Sequence, residues 1–568
     1  MILHAAAIDA GVVLRADVCI VGAGAAGITL ALSLRGSGLD VLLLEAGGER
    51  SKPASQALYR GEVEDPALHS APHRYRQRRF GGSTTIWGGR CVPFDAIDFE
   101  RRAWVPHSGW PFRRDALLAH YATASALCES GPFAYAAEAV AGGVPEMLAG
   151  FAPEHFDTAT IERFSCPTDF GRRYRHRLAA QAGLRVVLGA SVTRIVTADD
   201  GSVRRLEVAR AGRAGDPGFS VAAGRVVLAT GGLEVPRLLL ASRGAEGGPH
   251  ADGVGNGHGL VGRFYMCHVA GTYGTVRLSE GTRVFHGYVR DADGSYCRRR
   301  WALDEATQRL HGVGGFVARL HHPRIPDPAH RTGALSAIWL ARRLIRPEYG
   351  SRLSGEAPGR AAWLRHAGNL VADAPGTAGF LLHWLRRRTL AERKFPSVVI
   401  RPRADLFSLD LHAEQVPNPA SRVTLGRRVD ALGMPVLRVD WRPDALDLRT
   451  VRVGVRLLAQ DLGRSGLAAL EDEPSGVEHA MLRDGAYGGH HIGTARMADD
   501  PREGVVDANG RVHGTRNLYV AGSAVFPTSS QANPTLTVVA LAARLAEHLR
   551  AEVGAGAAFE YGQAGKQG

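Results

Sequence analysis

Apolar positions in the first part of the chain fall into two short runs separated by a glycine-rich turn and a longer apolar stretch. Residues 17–21 (DVCIV) are rich in valine and isoleucine, a pattern that suits a buried strand of a parallel sheet. A second run of this kind covers residues 41–44 (VLLL). The stretch after the turn has the length and apolar content of a helix. The pattern therefore predicts a strand, a helix and a second strand, in that order.

Three glycines between these runs match the G-x-G-x-x-G pattern of dinucleotide-binding turns. Gly22 allows a tight turn, Gly24 lets the backbone approach a pyrophosphate, and Gly27 lets the helix pack close to the strand. The helix N-terminus offers N–H groups and partial positive charge to phosphates. Glu45 follows the second run and can accept hydrogen bonds from both ribose hydroxyls. The pattern predicts a bound dinucleotide and leaves NAD and FAD open.

Two later segments repeat the pattern of a buried strand. Residues 224–242 (GRVVLATGGLEVPRLLLAS) indicate a strand, a Gly-Gly turn and a helix, and residues 516–527 (RNLYVAGSAVFP) indicate a strand that ends in small residues. The three strand segments are spread from the start to the end of the chain. We therefore expect one nucleotide-binding sheet, with a second domain inserted between its parts.

Two adjacent histidines, His490 and His491, follow a glycine-rich stretch near the C-terminal end. Such a pair can serve as metal ligands, packing residues or acid–base groups, and the residues alone leave these roles open. Farther along, Asn533 precedes Pro534, and leucines follow at positions 541, 545 and 549. Asparagine and proline are favoured as the N-cap and first residue of a helix, so we expect an amphipathic helix to begin here.

Composition narrows the class of protein. A hydrophobic content of 45% and 22% charged residues are ordinary for a folded soluble protein, and 568 residues suggest two connected domains. No run approaches the roughly 18 apolar residues that span a bilayer, and the first residues lack an export-signal pattern, so we expect a cytoplasmic protein without a transmembrane segment. The six scattered cysteines disfavour a zinc ribbon, a c-type haem and a disulfide framework. Arginine supplies nearly all of the positive charge behind the net +13, without a nucleic-acid-binding motif, so no nucleic-acid partner is expected.

Taken in order along the chain, these segments resemble the glucose–methanol–choline (GMC) family of flavoprotein oxidoreductases. The resemblance spans nearly the whole length. Within the family, the chain is most similar to the bacterial branch near pyranose oxidases, glycoside 3-oxidases and fructose or gluconate dehydrogenases. Besides the glycine turn, the resemblance rests on RRFGGSTTIWGGRCVPFDAIDF (residues 78–99), VVLATGG, GLVGRFYMCH, EQVPNPASRVTL (residues 414–425), HHIGTARM and VAGSAVFPTSSQANPTLT.

The resemblance implies an α/β fold with an α+β second domain. A Rossmann-like FAD-binding domain of the GMC and glutathione-reductase type would carry an inserted substrate domain built on an antiparallel sheet. The expected boundaries are 12–95, 185–260 and 484–552 for the discontinuous FAD-binding domain, 96–184 and 261–483 for the substrate domain, and 553–568 for a flexible tail.

The family pattern H-x-x-G-T places its leading histidine against the flavin, which implies that His490 is the catalytic base. Imidazole suits this role because its pKa lies near neutral pH. Asn533 would orient the hydroxyl of the substrate, since an amide both donates and accepts hydrogen bonds. His491 is expected to pack or to act indirectly, because adjacent residues point to different faces of a strand. No third ligand of matching spacing accompanies the pair, so no metal is expected.

The resemblance also implies where the cofactor lies. The candidate FAD-binding residues are Gly22, Gly24, Ala25, Ala26, Gly27, Glu45, Ala46, Gly81, Gly82, Ser83, Trp87, Gly88, Gly89, Val192, Ala229, Gly231, Gly522, Ser523, Asn533, Pro534 and Thr535. Pyranose oxidases carry a histidine just before the loop tryptophan and link it covalently to the flavin. This chain has Ile86 before Trp87, so we expect non-covalent FAD.

Residues 331–394 are arginine-rich and read as helical. One interpretation is a lid, an oligomer contact or a membrane-surface patch. We favour the other, a solvated helix pair with Trp339, Trp363 and Trp384 packed inward.

The expected activity is FAD-dependent oxidation of an alcohol on a sugar, polyol or glycoside to a carbonyl, with hydride passing to the flavin and the proton to His490. Oxidation of an apolar alcohol, such as a sterol or long-chain alcohol, is the enzymatic alternative. A non-redox FAD-containing lyase and an inactive flavin-binding subunit are the others. The sequence leaves open the electron acceptor (oxygen, a quinone or a redox protein) and whether the chain forms a homo-oligomer.

Overall fold

A computed structural model describes residues 1–210, 218–248, 250–342, 359–400, 402, 405–486 and 489–564, with side chains to residue 552 in the last helix. Its α-helices are α1 (Ala25–Ser33), α2 (Pro53–Ala57), α3 (Leu118–Cys128), α4 (Phe170–Ala180), α5 (Gly231–Ala241), α6 (Glu305–His311), α7 (Gly333–Leu340), α8 (Arg360–Ala372), α9 (Ala374–Trp384), α10 (Ala445–Ser465), α11 (Val477–Asp484) and α12 (Thr535–Ala564). A π-helical turn, Leu385–Thr389, follows α9.

The strands belong to four sheets. In chain order they are β1 (Ile2–His4), β2 (Val13–Val21), β3 (Val41–Glu45), β4 (Gly61–Val63), β5 (Arg90–Cys91), β6 (Phe156–Asp157), β7 (Ile161–Phe164), β8 (Leu184–Leu188), β9 (Ala190–Thr197), β10 (Val203–Arg210), β11 (Phe219–Leu228), β12 (Val269–Leu278), β13 (Val289–Arg290), β14 (Tyr296–Arg299), β15 (Trp301–Leu303), β16 (Phe316–His321), β17 (Leu406–Ala413), β18 (Arg422–Val429), β19 (Pro435–Asp440), β20 (Ala468–Leu470) and β21 (Leu518–Val520).

The first sheet is mostly parallel and carries the glycine turn. Its order is β1-β8-β3-β2-β11-β10-β9, and β21 pairs with β11. The strands β1, β8, β3, β2, β11 and β21 run parallel, whereas β10 and β9 are antiparallel additions at one edge. Parallel strands end at a common edge, so the turns after β2, β3, β11 and β21 lie together. The predicted α/β fold with one sheet assembled from distant segments is confirmed.

The second large sheet is antiparallel, with the order β20-β12-β17-β16-β15-β6. Helix α10 covers it, because valines and leucines of this helix share a buried apolar cluster with the strands. Two smaller sheets, β13-β14-β7-β5 and β18-β19-β4, accompany it. The antiparallel sheet of the substrate region is therefore also confirmed, while the exact domain boundaries stay a prediction.

Several elements differ in extent from the pattern-based prediction. Strand β2 starts at Val13 instead of residue 17, since its first residues pair with β11 even though they are partly polar or exposed. Helix α12 begins at Thr535, one residue later than expected, because the carbonyl of Pro534 accepts the first helical bond from Val538. The same helix continues to Ala564 and so covers most of the residues predicted as a tail, while residues 565–568 lie outside the described residues.

The arginine-rich stretch is helical where the structure describes it, in α7, α8 and α9; residues 343–358 lie outside the described residues. Trp339 is buried, as expected, and Trp384 is partly buried. Trp363 instead stays 43% exposed and meets the ring of Trp339 edge-on, with ring centroids 4.9 Å apart. Among the described residues, no helix combines the length and the apolar content required to cross a bilayer.

A buried ion pair ties the second sheet to a distant loop. The guanidinium of Arg102 donates to Glu414 in a bidentate arrangement, with Nη1–Oε2 at 2.8 Å and Nη2–Oε1 at 2.5 Å, and both side chains have no exposed surface. Glu414 Oε2 also accepts from the backbone N–H of Gly315 at 3.0 Å. If either partner is removed, the remaining charged side chain cannot reach solvent.

We expect Glu414→Ala to lower the free energy of unfolding by about 3–5 kcal/mol, since the substitution leaves the Arg102 guanidinium charged and buried. Denaturant unfolding followed by circular dichroism measures the change. Glu471→Ala is the matched control, because Glu471 pairs with Arg277 at the surface and such pairs contribute little. Equal losses in the two variants would contradict the prediction.

Candidate functional site

A cavity of about 690 Å³ lies where the common edge of the parallel strands meets the antiparallel sheet. Every residue predicted to bind the cofactor or to act in catalysis lines this cavity, except Gly27 and Gly81. The structure thus brings together positions that are up to 513 residues apart, from Gly22 to Thr535. The volume of the cavity falls within the range of small-molecule and cofactor sites.

The glycine turn has the geometry that its sequence requires. Gly22 has a φ of +103°, and its N–H donates to the carbonyl of Leu44 at 2.7 Å. A Cβ at Gly27 would lie 1.9 Å from the carbonyl oxygen of Gly22, so this glycine serves helix–strand contact outside the cavity lining. A Cβ at Gly24 would meet nothing within 4 Å, because this residue caps α1 on the cavity side. The open backbone at the helix N-terminus fits a pyrophosphate.

Glu45 lies at the end of β3 with its carboxylate held by the backbone. Oε2 accepts from the N–H of Ala23 at 2.9 Å, and Oε1 accepts from the N–H of Gly47 at 2.7 Å. Burial raises the pKa of Glu45, and these two amides together with Arg78 oppose the rise. A carboxylate has about four lone-pair positions, so each oxygen retains one for a further donor. The residue therefore fits the binding of two ribose hydroxyls.

The loop after β4 closes against the glycine turn. A Cβ at Gly82 would lie 3.0 Å from the Cα of Gly24, and the N–H of Gly81 donates to the carbonyl of Ala23 at 2.9 Å. Gly81 faces away from the cavity, where its φ of +92° and contact with Gly171 require glycine. Trp87 is fixed by a hydrogen bond from its indole N–H to the carbonyl of Thr168 at 3.0 Å. Ile86 lines the cavity beside it.

His490 and Asn533 meet at the cavity wall. The amide Nδ2 of Asn533 lies 3.1 Å from His490 Nε2. The Oδ1 of Asn533 is buried and, among the residues that the structure describes, has no hydrogen-bond partner. Burial lowers the pKa of His490 well below its ordinary value, and the nearby His268 and Arg90 lower it further. The site therefore presents an imidazole that is uncharged at neutral pH.

Backbone pairing explains which side chain lies beside His490. Ile492 and Met266 exchange backbone hydrogen bonds of 3.0 and 2.9 Å in an antiparallel bridge. In this register His490 stands opposite His268, and residues directly opposite on an antiparallel pair share a face. Their Nδ1 atoms are 2.7 Å apart. His412 on β17 packs on the ring of His268, with centroids 4.4 Å apart.

Neither His268 nor His412 was predicted as a functional residue from the sequence. His268 ends the GLVGRFYMCH segment, which carried the resemblance, so a functional histidine could have been sought there. His412 is separated from the EQVPNP segment by Ala413 and lies near the end of a buried strand, where its sequence neighbours gave no sign of a function.

Charged residues line the part of the cavity beyond the histidines. Glu162 accepts from Arg298 Nε at 2.9 Å and from Arg319, and its carboxylate lies 3.6 Å from Arg90 Nε. Although burial opposes the effect, these three guanidiniums hold the pKa of Glu162 well below its usual range. Asp410 Oδ2 lies 3.8 Å from Arg90 Nη2. Arg90, Arg298 and Asp410 all line the cavity, so its wall here is polar.

His491 belongs to a different buried group from its neighbour. Its Nδ1 lies 2.7 Å from the hydroxyl of Tyr265, which also contacts His69 Nε2 at 2.8 Å and Cys267 Sγ at 3.2 Å. Sequence spacing showed no third candidate ligand beside the histidine pair, but the fold brings potential ligands to both rings: His69 and Cys267 near His491, and His268 and His412 near His490. The hydroxyl of Tyr265 links the first group by hydrogen bonds, whereas in the second group His268 contacts His490 through Nδ1 and His412 packs on the ring of His268.

Buried uncharged histidines make stability depend on pH. Burial lowers the pKa of both His69 and His268 to about 4 in the folded chain. In the unfolded chain these histidines have an ordinary pKa near 6.5, so the unfolded chain takes up protons first as the pH falls. The contribution of each histidine to stability is therefore full above pH 6.5 and is lost between about pH 6.5 and 4. We expect each histidine to remove about 1.4 kcal/mol per pH unit in this window, measured by denaturant unfolding at pH 7, 6 and 5.

The variant His268→Asn should flatten this pH dependence, because asparagine does not titrate. His4→Asn is the control, since His4 is exposed at the start of the chain. If the stability of His268→Asn fell with pH as steeply as that of His4→Asn, the lowered pKa of His268 would be contradicted.

Comparisons with known proteins agree with this geometry. Residues 17–246 match the family model described as FAD dependent oxidoreductase, and residues 417–542 match that described as GMC oxidoreductase. Paromamine 6'-oxidase of Streptomyces fradiae is 27% identical, over 94% of this chain and 90% of its own. The 6'''-hydroxyparomomycin C oxidase of Streptomyces lividus is 26% identical, over 94% of this chain and 92% of its own.

A solved structure of a fungal aryl-alcohol oxidase shares the fold. It superposes with a TM-score of 0.52 at 16% sequence identity and covers 94% of this chain and 99% of its own.

Proposed function

Since this chain is a GMC oxidoreductase, an FAD-dependent enzyme acting on CH–OH groups, we propose that it oxidises an alcohol on a sugar, polyol or glycoside to a carbonyl. The observation that carries the proposal is the polar wall of the cavity beyond His490. Arg90, Arg298, Asp410 and His412 supply both donors and acceptors there. A sterol or long-chain alcohol would displace water from these groups without offering hydrogen bonds in return, at considerable cost. The names of the two Streptomyces oxidases agree with a carbohydrate-like substrate.

Two residues act on the reacting hydroxyl. His490 Nε2 faces the cavity beside Asn533 and accepts the hydroxyl proton, for which its lowered pKa keeps it uncharged at neutral pH. Asn533, with its unpaired buried Oδ1, orients the substrate oxygen. Bound FAD supplies the hydride acceptor. Oxidation of the alcohol carbon thus balances, with the hydride to the cofactor and the proton to His490.

The glycine turn would hold the pyrophosphate of FAD, and Glu45 would hold the ribose. The loop at 82–89, the turn at 522–523 and the start of α12 would hold the ring system. The N-terminus of α12 lies at the cavity, so the partial positive charge of the helix dipole points into it. Ile86 stands beside Trp87 and cannot form a bond to the flavin. Non-covalent FAD therefore belongs to the proposal.

Anaerobic flavin reduction tests the activity. Sugars, polyols and glycosides should bleach the oxidised flavin band, and His490→Ala should slow the bleaching about 100- to 10,000-fold while FAD stays bound, because the proton acceptor is lost. Stopped-flow absorbance measures the rate. His176→Ala, an exposed position on α4, is the control and should match the parent rate.

Each other result of this experiment has a definite meaning. Bleaching only by sterols or fatty alcohols would overturn the carbohydrate assignment and favour the apolar alternative. A bound flavin that no alcohol reduces would favour a lyase or an inactive flavin-binding subunit.

Acid precipitation tests the mode of FAD attachment. We expect all of the flavin to appear in the supernatant as FAD and none with the protein, because position 86 offers no nucleophile. Chromatography of the supernatant and the absorbance of the redissolved pellet measure both fractions. Yellow colour that stays with the pellet would show a covalent bond to another residue.

A further inference from the structure

His268 is completely buried, and both of its ring nitrogens have protein partners. Nε2 lies 3.3 Å from the carbonyl oxygen of Ser529, in the segment that leads into α12. Nδ1 lies 2.7 Å from Nδ1 of His490. A carbonyl oxygen only accepts hydrogen bonds, so His268 must carry its proton on Nε2.

This assignment determines the proton positions of the next ring. A neutral imidazole has one N–H, so Nδ1 of His268 is an acceptor. Nδ1 of His490 must then be the donor across the 2.7 Å contact, and its Nε2 is left with a lone pair. Asn533 Nδ2, 3.1 Å from that Nε2, is a donor and agrees with this arrangement. The chain of bonds starts at a backbone carbonyl, whose role cannot reverse.

We propose that His268 is a positioning residue that holds His490 in the tautomer with Nε2 as proton acceptor. The inference rests on the proposed oxidation of an alcohol, in which Nε2 of His490 takes the hydroxyl proton. When that proton arrives, Nδ1–H of His490 continues to donate to the neutral His268, which orients the imidazolium ring. A carboxylate at the position of His268 could orient His490 in the same way, but it would add a negative charge that the imidazole does not carry.

The surroundings favour a neutral partner. The charged and titratable groups whose fields act on His490 are Arg90 from β5, His268 before β12, His412 from β17 and the adjacent His491, whose ring points away. Glu414, the carboxylate whose field reaches His268, is neutralised by its bidentate pair with Arg102. An uncharged partner leaves His490 easy to deprotonate, so the base form persists below neutral pH.

Three substitutions separate the parts of this role. In His268→Asn, Oδ1 can accept from Nδ1–H of His490 without charge. In His268→Asp, a carboxylate of the same shape accepts the same bond with a negative charge. In His268→Leu, the acceptor is lost.

The readouts are the rate of anaerobic flavin reduction by the best sugar and its pH profile. We expect His268→Asn to stay within about tenfold of the parent and His268→Leu to fall about 100-fold or more. His268→Asp should move the acidic limb of the profile up by about 1–3 pH units, since an opposite charge at this distance raises a histidine pKa by that amount. Because Asn and Asp differ only in charge, their comparison stands even where the leucine variant does not fold.

A second measurement is independent of turnover. Nitrogen-15 NMR of the holoenzyme labelled at histidine, with His490 assigned by the signal that His490→Ala removes, should show His490 protonated at Nδ1 and unprotonated at Nε2 at pH 7. In His268→Leu this preference should weaken.

The outcomes separate the two proposals. A proton on Nε2 of His490 in the parent protein would overturn the role of His268. So would a pH profile whose acidic limb does not move in His268→Asp. In both cases the proposed sugar oxidation would still stand. Failure of the parent protein to reduce its flavin with any alcohol would instead overturn the proposed function, and the NMR result would still report whether His268 fixes the tautomer.

Discussion

The buried histidine rings at the junction of the two large sheets find most of their hydrogen-bond partners inside the protein, because burial separates them from water. This constraint orders the site. The backbone carbonyl of Ser529 determines the tautomer of His268, and His268 in turn determines that of His490. His412 donates from Nδ1 to the carbonyl of Gln531 at 2.6 Å, in the same short segment. One stretch of backbone before α12 therefore governs the orientation of two rings and, through them, a third.

The same constraint separates the two adjacent histidines. His491 faces away from His490 and joins Tyr265, His69 and Cys267 in a buried group of its own. His69 donates from Nδ1 to the carbonyl of Ser70 at 2.6 Å, which leaves its Nε2 to accept from the hydroxyl of Tyr265. A backbone carbonyl again decides which atom carries the proton. Two neighbouring rings thus serve separate networks on opposite sides of one strand-like segment.

Sequence patterns were sufficient for the local parts of this architecture. The glycine turn, the buried strands β2 and β3 and the helix α12 all follow from short periodicities, although β2 starts four residues earlier and α12 ends twelve residues later than predicted. The family resemblance pointed to His490 and Asn533, and the fold places them in contact. The partners of His490 lay beyond such patterns. His268 is 222 residues away along the chain, and the bridge between Met266 and Ile492 brings it opposite His490.

The low proton affinity of His490 has a consequence for the return half of a catalytic cycle. An imidazolium that is partly shielded from water, close to Arg90 and beside the neutral His268, is a comparatively strong acid. At neutral pH the equilibrium therefore favours the uncharged ring. In the proposed oxidation, His490 would therefore favour return to its uncharged form after the carbonyl product has formed. The burial that makes His490 a weaker base also makes its protonated form easier to deprotonate.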